Sequence, residues 1–142
     1  MKRIVMLMAA LAAVALPGSA QAQDFQVVVN ESVPIETISK SDLSKVFRKK
    51  VRQIGGVNAS PVDLDAESSV REAFSQGVHG RSAAAIESYW QQQIFAGEKV
   101  PPIKKASDAE VLAYVRGTPG AVGYVAAGAS LGAGVKAIMV SG

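Results

Sequence analysis

Hydrophobic residues follow two patterns along the chain. Some segments are short continuous apolar runs, and in the segments between them apolar residues recur every three to four positions. Short β-branched runs are typical of buried strands, because branched side chains pack well on a pleated surface. Such runs predict strands at four places: 25–29, 61–64, 121–125 and 135–140. A further extended piece is expected from Pro101 and Pro102 to Lys105. The chain therefore contains several short strands with helical segments between them.

The helical segments have apolar residues on one face. Leu43, Val46 and Phe47 lie at i, i+3 and i+4, in a helix that Ser39 or Ser41 can cap. Three more helices are predicted from the same kind of spacing: 69–78, 82–95 and 107–117. Short strands that alternate with helices predict an α/β domain with a mostly parallel central sheet flanked by helices.

Caps mark several helix ends. Ser107 and Glu110 form a capping box, in which the serine side chain accepts from the N3 amide and the glutamate reaches back to the cap amide. Ser69 and Glu72 have the same spacing, so the helix that they begin is expected to satisfy its own first amides. Gly97 is expected to end the helix over 82–95.

Turn residues separate the elements. Gly55, Gly56 and Asn58 mark a loop, and Pro119 followed by Gly120 suits a type II turn. In parallel sheets ligands bind outside the carboxyl ends of strands, next to helix N-termini. The turn over 64–70 is such a place.

The first 22 residues follow a different pattern, which is typical of a cleavable signal peptide. Lys2 and Arg3 precede an apolar run of 13 residues, and Ala20-Gln21-Ala22 is a small-x-small cleavage site. The run is too short to span a bilayer as a helix. We therefore expect cleavage after Ala22, export to the periplasm, and a single mature domain over 23–142 without membrane insertion.

The charge and cysteine content narrow the functional classes. Without Lys2 and Arg3, 13 basic residues stand against 12 acidic ones, and the net charge falls from +3 to +1. Nucleic acid binding calls for a clustered basic face, and the run over 48–52 is interpreted as the solvated end of a helix instead. There are no cysteines, so the core alone must hold the fold. No nucleic acid partner is expected.

Residues for catalysis or metal binding are sparse. His79 is the one histidine, expected in an exposed glycine-flanked loop, and without cysteine or a second histidine a zinc site is not expected. Asp63 and Asp65 lie two apart on a predicted strand and could form a carboxylate pair of the glycosidase type, which would also need a substrate cleft and a raised pKa that a sequence does not show. We expect neither an enzyme nor a cofactor.

Three segments, SKSDLSKVFRKKV, AESSVREAF and AYVRGTPGAVGYV, occur in an order that resembles the phosphate-binding proteins of ABC transporters. The resemblance covers 25–140 and is nearest to compact, single-lobe members of the periplasmic-binding-protein-like group. It implies the fold of one such lobe. It also implies phosphate or another small anion as ligand, and an ABC permease or another envelope protein as partner.

The resemblance aligns the family's ligand turn with Ser68. The expected ligand-binding groups are Ser68, Ser69 and the backbone amides of Val70 and Arg71. Four carboxylates lie in or near this turn: Asp63, Asp65, Glu67 and Glu72. Because Arg71 alone cannot balance them, binding is expected to be weak. The alternative is a periplasmic protein–protein interaction module that keeps the lobe fold without transporting a solute.

Overall fold

A computed structural model describes residues 24–142, and the predicted signal peptide lies outside them. The strands are β1 (Phe25–Asn30), β2 (Thr37–Ser39), β3 (Gln53–Ile54), β4 (Val57–Asn58), β5 (Ser60–Leu64), β6 (Ile103–Lys105), β7 (Ala121–Ala126) and β8 (Val135–Ser141). The helices are α1 (Lys40–Phe47), α2 (Ser69–Phe74), α3 (Ala83–Phe95) and α4 (Asp108–Gly117), and a π-helical turn (Ser75–His79) continues α2. None of these helices has the length and apolar character needed to cross a bilayer.

Six strands form one sheet in the order β2, β8, β1, β7, β5, β6. The pairs β2–β8, β7–β5 and β5–β6 are parallel, whereas β1 is antiparallel to both of its neighbours. Within the described residues, five strands of this sheet therefore point the same way and β1 runs against them. The predicted α/β fold with a mostly parallel sheet is confirmed.

Helices cover both faces of the sheet, as the contacts of two neighbouring residues of β7 show. Gly123 faces α4, since a Cβ placed on it would lie 3.0 Å from the Val111 side chain. Tyr124, the next residue, stacks on Phe74 of α2 at a centroid distance of 3.8 Å and also contacts Phe47 of α1. The apolar runs of β1, β5 and β7 are thus buried on both sides, as their composition predicted.

Several helix and turn boundaries follow the predicted caps, although the start of α2 does not. Ser39 and Ser107 are N-cap residues, and their hydroxyls accept from the amides three residues on. The Glu110 carboxylate accepts from the amide of Ala106, one residue before the cap, at 2.9 Å. Gly97, with φ 70, follows the end of α3. Gly120, with φ 78, completes the turn before β7.

Two pairings were not predicted from the sequence. The segment with Gly55 and Gly56, expected to be a loop, is a small hairpin of β3 and β4. β2 pairs with β8 at an edge of the sheet. Both pairings involve strands of only two or three residues, which are too short for a periodic pattern to appear in the sequence.

Candidate functional site

Three helices begin at one edge of the sheet. The parallel strands β2, β5 and β6 lead at their carboxyl ends into α1, α2 and α4. The N-cap residues Ser39, Ser68 and Ser107 therefore lie along this edge. This is the edge at which sheets of this type bind ligands.

The turn between β5 and α2, Asp65–Ser69, is held by its backbone and is called the α2 turn below. The Asp65 amide donates to the Lys105 carbonyl of β6 at 3.1 Å, and the Ser68 amide donates to the Asp65 carbonyl at 2.9 Å. The Ser68 hydroxyl accepts from the Arg71 amide at 3.2 Å. Within residues 24–142, the amides of Ser69 and Val70 donate to no acceptor. These two amides are the donors that the α2 turn offers to a ligand.

The predicted capping box of Ser69 and Glu72 is wrong, because the cap is Ser68. Glu72 instead reaches α3, where its Oε2 accepts from the Ala83 amide at 2.9 Å. Its Oε1 accepts from the side chain of Gln76 at 3.0 Å. The hydrogen bond from Ala83 is the main cause that lowers the pKa of Glu72. Glu72 thus carries its charge to the N-terminus of α3 and not to that of α2.

The Arg71 side chain points into the protein and is only 2% exposed. Its Nη1 lies 2.7 Å from Oε1 of Glu87 and donates to the Leu64 carbonyl at 3.2 Å. Its Nε lies 3.8 Å from Oδ1 of Asp63. Of the predicted ligand-binding residues, Ser68, Ser69 and Val70 lie at the α2 turn. Arg71 contributes a backbone amide there, already bonded to Ser68, while its charge is balanced inside the fold.

The buried ion pairs continue through the core to the surface. The Tyr124 hydroxyl donates to Oδ1 of Asp63 at 2.5 Å and accepts from the Leu64 amide at 3.1 Å. At the other end, Lys104 contacts Glu87 at 2.8 Å. Burial raises the pKa of Asp63 against the opposing effects of Arg71 and Tyr124, and burial and the nearby Asp63 charge also raise the pKa of Tyr124.

This network was not predicted, although part of it had a signal in the sequence. Asp63 is an acid within an apolar strand, and a buried charge requires a partner. Nothing in the sequence identifies Glu87 and Lys104 as members. The suggested carboxylate pair does not share one site, because Asp63 is buried in the network whereas Asp65 is exposed beyond the strand.

His79 is not in an exposed loop, contrary to the prediction. It ends the π-helical turn, packs edge-on against Phe74 and makes a 2.7 Å hydrogen bond through Nδ1 to the Ser44 hydroxyl. The Ser44 hydroxyl also accepts from Arg48 Nε at 3.0 Å. Burial, with help from nearby arginines, lowers the pKa of His79 to about 4.

The surface of the α2 turn has hydroxyl and amide donors, but the exposed side chains around them include two carboxylates. Asp65, Glu67 and Ser69 are exposed there. The nearest arginine in sequence, Arg71, is buried in its ion pairs. The turn can donate hydrogen bonds to an oxyanion, while its two carboxylates repel a dianion. In residues 24–142 no group of three His, Cys, Asp or Glu residues is placed to hold a metal ion.

The fold places helix N-termini along one edge of a mostly parallel sheet. No family model matches the sequence, and no curated protein matches it. Solved structures do match. An ABC-type phosphate transport receptor from Vibrio cholerae superposes with a TM-score of 0.63 at 18% identity, over 82% of this chain and 46% of that one.

Two further solved structures agree. A phosphate ABC transporter substrate-binding protein with bound phosphate from Clostridium perfringens gives a TM-score of 0.63 at 15% identity, over 82% of this chain and 44% of its own. PstS from Borrelia burgdorferi gives 0.59 at 18% identity, over 83% and 47%. The chain thus spans less than half the length of these proteins. The predicted resemblance is confirmed at the level of fold.

Proposed function

We propose that this chain is a solute-binding protein that binds phosphate or another small anion weakly at the α2 turn. The observation that carries the proposal is the pair of amides at Ser69 and Val70, which have no acceptor within residues 24–142 and lie at the carboxyl end of β5. Amides at a helix N-terminus favour negative charge. The Ser69 hydroxyl, exposed beside them, adds a third donor. The role is binding without catalysis.

The charges around the turn make the binding weak. Asp65 and Glu67 oppose an anion, and the guanidinium of Arg71 does not reach the turn surface because it is buried against Glu87. A singly charged anion suffers less repulsion than a dianion. We therefore expect the affinity to rise as the pH falls and phosphate becomes the monoanion.

Titration of the ¹⁵N-labelled protein with phosphate and with sulfate tests the proposal. The amide signals of Ser69 and Val70 should shift most and should saturate. Glu67→Gln removes one opposing charge and should tighten binding by about twofold to fivefold, the scale of exposed charge interactions. Glu31→Gln is the matched control, because Glu31 follows the reversed strand β1 and lies at the other edge of the sheet.

Two outcomes would count against the site. One is that phosphate shifts no signal in the α2 turn. The other is that Glu67→Gln and Glu31→Gln change the affinity equally. Glu72→Gln is a poor choice for this test, since Glu72 holds the Ala83 amide of α3 and its loss would disturb the fold.

We further propose that the chain is exported, cleaved after Ala22, and acts with an ABC permease or another envelope protein. N-terminal sequencing of the protein recovered from a bacterial periplasm tests the export: Gln23 should be the first residue. Recovery of the uncleaved chain in the cytoplasm would contradict it.

A second candidate function is a protein-interaction module, favoured by the end of α3. Phe95 is 97% exposed, and the adjacent Ile94 is also exposed. Exposed neighbouring apolar side chains are typical of protein contact surfaces. The occupant that we propose is a second copy of the chain, because two copies related by a two-fold axis would cover the same apolar pair on each other.

Sedimentation velocity over a range of protein concentrations tests this candidate. Association should be concentration-dependent and should be lost in Phe95→Ser. Met139→Ser is the control, since Met139 is an exposed apolar residue on β8 and should leave association unchanged. A monomer at every concentration would exclude self-association through this surface.

A further inference from the structure

A cavity lies at the opposite edge of the sheet from the α2 turn. It has a volume of about 860 Å³, within the range of roughly 300 to 1,000 Å³ that is usual for small-ligand sites. Ser60 and Ile103, the first residues of β5 and β6, line it, as does Tyr114 of α4. The ends of α1 and α3 form further walls. The cavity is thus separated from the α2 turn by the length of β5.

Three basic side chains line this cavity: Lys49, Arg52 and Lys99. One acidic residue, Glu98, also lines it. Within residues 24–142, none of the three cations forms an ion pair with a carboxylate. The cavity therefore carries an excess of positive charge that the fold does not balance locally.

The basic residues of the run over 48–52 lie in different environments. The sequence predicted only a solvated helix end there. Arg48 donates to Ser44 and belongs to the surroundings of His79. Lys50 is exposed and is not part of the cavity wall. Lys49 and Arg52 both line the cavity. The run therefore has members with different environments.

Lys49 occupies a backbone conformation that favours glycine. It follows the C-cap of α1 with φ 56, and the Lys50 amide donates to the Lys45 carbonyl at 2.8 Å, as in a Schellman motif. A side chain at this position is strained relative to glycine, because the left-handed region brings Cβ close to the following carbonyl oxygen. Burial also lowers the pKa of Lys49. The chain thus places a partly desolvated cation at a strained position beside the cavity.

The remaining walls combine polar residues, Asn58, Ser60 and Tyr114, with apolar side chains. The apolar side chains are these: Val46, Val51, Pro61, Ile94, Val100 and Ile103. A ligand that fits must combine a negative group for the three cations with an apolar body for these walls. Inorganic phosphate has no such body, and a neutral hydrocarbon leaves the cations without a partner.

We propose that this cavity binds a small monocarboxylate with an aliphatic body. The carboxylate lies among Lys49, Arg52 and Lys99, and the aliphatic body lies against Val100 and Ile103. This site is independent of the α2 turn and uses none of its residues.

Four probes separate the contributions of charge and apolar body: hexanoate, hexan-1-ol, acetate and inorganic phosphate. Each is titrated into the ¹⁵N-labelled full domain at a concentration where it is monomeric. Hexanoate should shift the amide signals of Lys49, Arg52 and Lys99 and saturate. Hexan-1-ol and acetate should each bind at least about tenfold more weakly, because each lacks one of the two features. Equal binding of hexanoate and hexan-1-ol would overturn the proposal, as would the absence of shifts in the cavity.

Substitutions distinguish binding from stability. Lys49→Gly removes both the cation and the backbone strain, so it should raise the melting temperature while weakening hexanoate binding by about threefold to fivefold. Arg52→Gln and Lys99→Gln should weaken binding by a similar factor. Arg81→Gln, an exposed change outside the cavity with the same loss of charge, is the control and should have no effect. If Lys49→Gly leaves hexanoate binding unchanged, the lysine does not contact the ligand and the proposal fails.

The phosphate probe keeps this proposal separate from the function proposed for the α2 turn. Phosphate should shift Ser69 and Val70, whereas hexanoate should shift the cavity residues. Either set of shifts can be absent without affecting the other. Hexanoate signals confined to the α2 turn would contradict the cavity site.

Discussion

His79 should make the stability of the fold depend on pH. In the folded protein, its Nδ1 is hydrogen-bonded to the Ser44 hydroxyl, its ring packs against Phe74, and its pKa is lowered to about 4 from an ordinary 6.5. The main cause is burial, and the positive charges of Arg48, Arg71 and Arg81 add to it. The neutral imidazole is therefore the form that the fold accommodates.

The size of the effect follows from these two pKa values. Between pH 6.5 and 4 the unfolded chain holds a proton on His79 that the folded protein does not, so the free energy of unfolding falls as the pH falls. The contribution is fully present above pH 6.5 and is lost by the time the pH reaches about 4. At about 1.4 kcal/mol per pKa unit, the loss amounts to about 3 kcal/mol. That is a substantial part of the stability of a small domain, about 5 to 15 kcal/mol.

Two measurements check this prediction. Because the chain has one histidine, the imidazole proton signals in an NMR pH titration belong to His79 alone, and they should not titrate above about pH 5. Urea unfolding at about pH 7.5 and about pH 4.5 should give a smaller difference for His79→Gln than for the wild type, by about 2 to 3 kcal/mol. The comparison with the variant removes the contribution of other titrating groups, including Asp63.

An ordinary titration of His79 near its unperturbed pKa in the folded protein would refute the reasoning. So would an unchanged pH dependence in His79→Gln. In either case the imidazole would be hydrated, and the contacts with Ser44 and Phe74 would not persist in solution.

Two further predictions concern the fold. Arg71→Met leaves two carboxylates of the network without their guanidinium and should lower the free energy of unfolding by about 3 to 5 kcal/mol in urea unfolding. The exposed control Arg81→Met should change it by less than about 0.5 kcal/mol. A similarly small change in both variants would contradict the buried ion pairs. Gly120→Ala places a Cβ against the Asn58 carbonyl oxygen and should lower the melting temperature more than Gly56→Ala, where φ is also positive but the space is open. Equal losses in the two variants would contradict the close approach.

Much of the fold could be predicted because local signals and tertiary structure agree. The β-branched run of β1 forms a buried strand, and the serine caps at Ser39 and Ser107 begin helices. The Pro-Gly turn before β7 forms with the positive φ at Gly120 that its type requires. The two-residue strands of the hairpin were missed because they are too short to display a period.

The position of the candidate site could be predicted from the sequence. The direction in which its charged side chains point could not. Ser68 and Ser69 lie at the carboxyl end of β5, as the strand-to-helix pattern predicted. The predicted contribution of Arg71 to the site was its backbone amide, and its side chain turns inward to Glu87. Glu87 lies on another helix, 16 positions along the chain, and local spacing has no information about such a contact.

The sequence by itself determined the order of the longer strands and of the helices, the capping serines Ser39 and Ser107, and the edge of the sheet at which α1, α2 and α4 begin. These properties depend on hydrogen bonds and side-chain periods within a few residues. Only the tertiary structure decided where the charges point: Glu72 reaches the N-terminus of α3, and Lys49 lines a cavity while Lys50 faces solvent. The physical reason is that a charged side chain finds its partner by distance in space, and that distance is set by the packing of elements far apart in the chain.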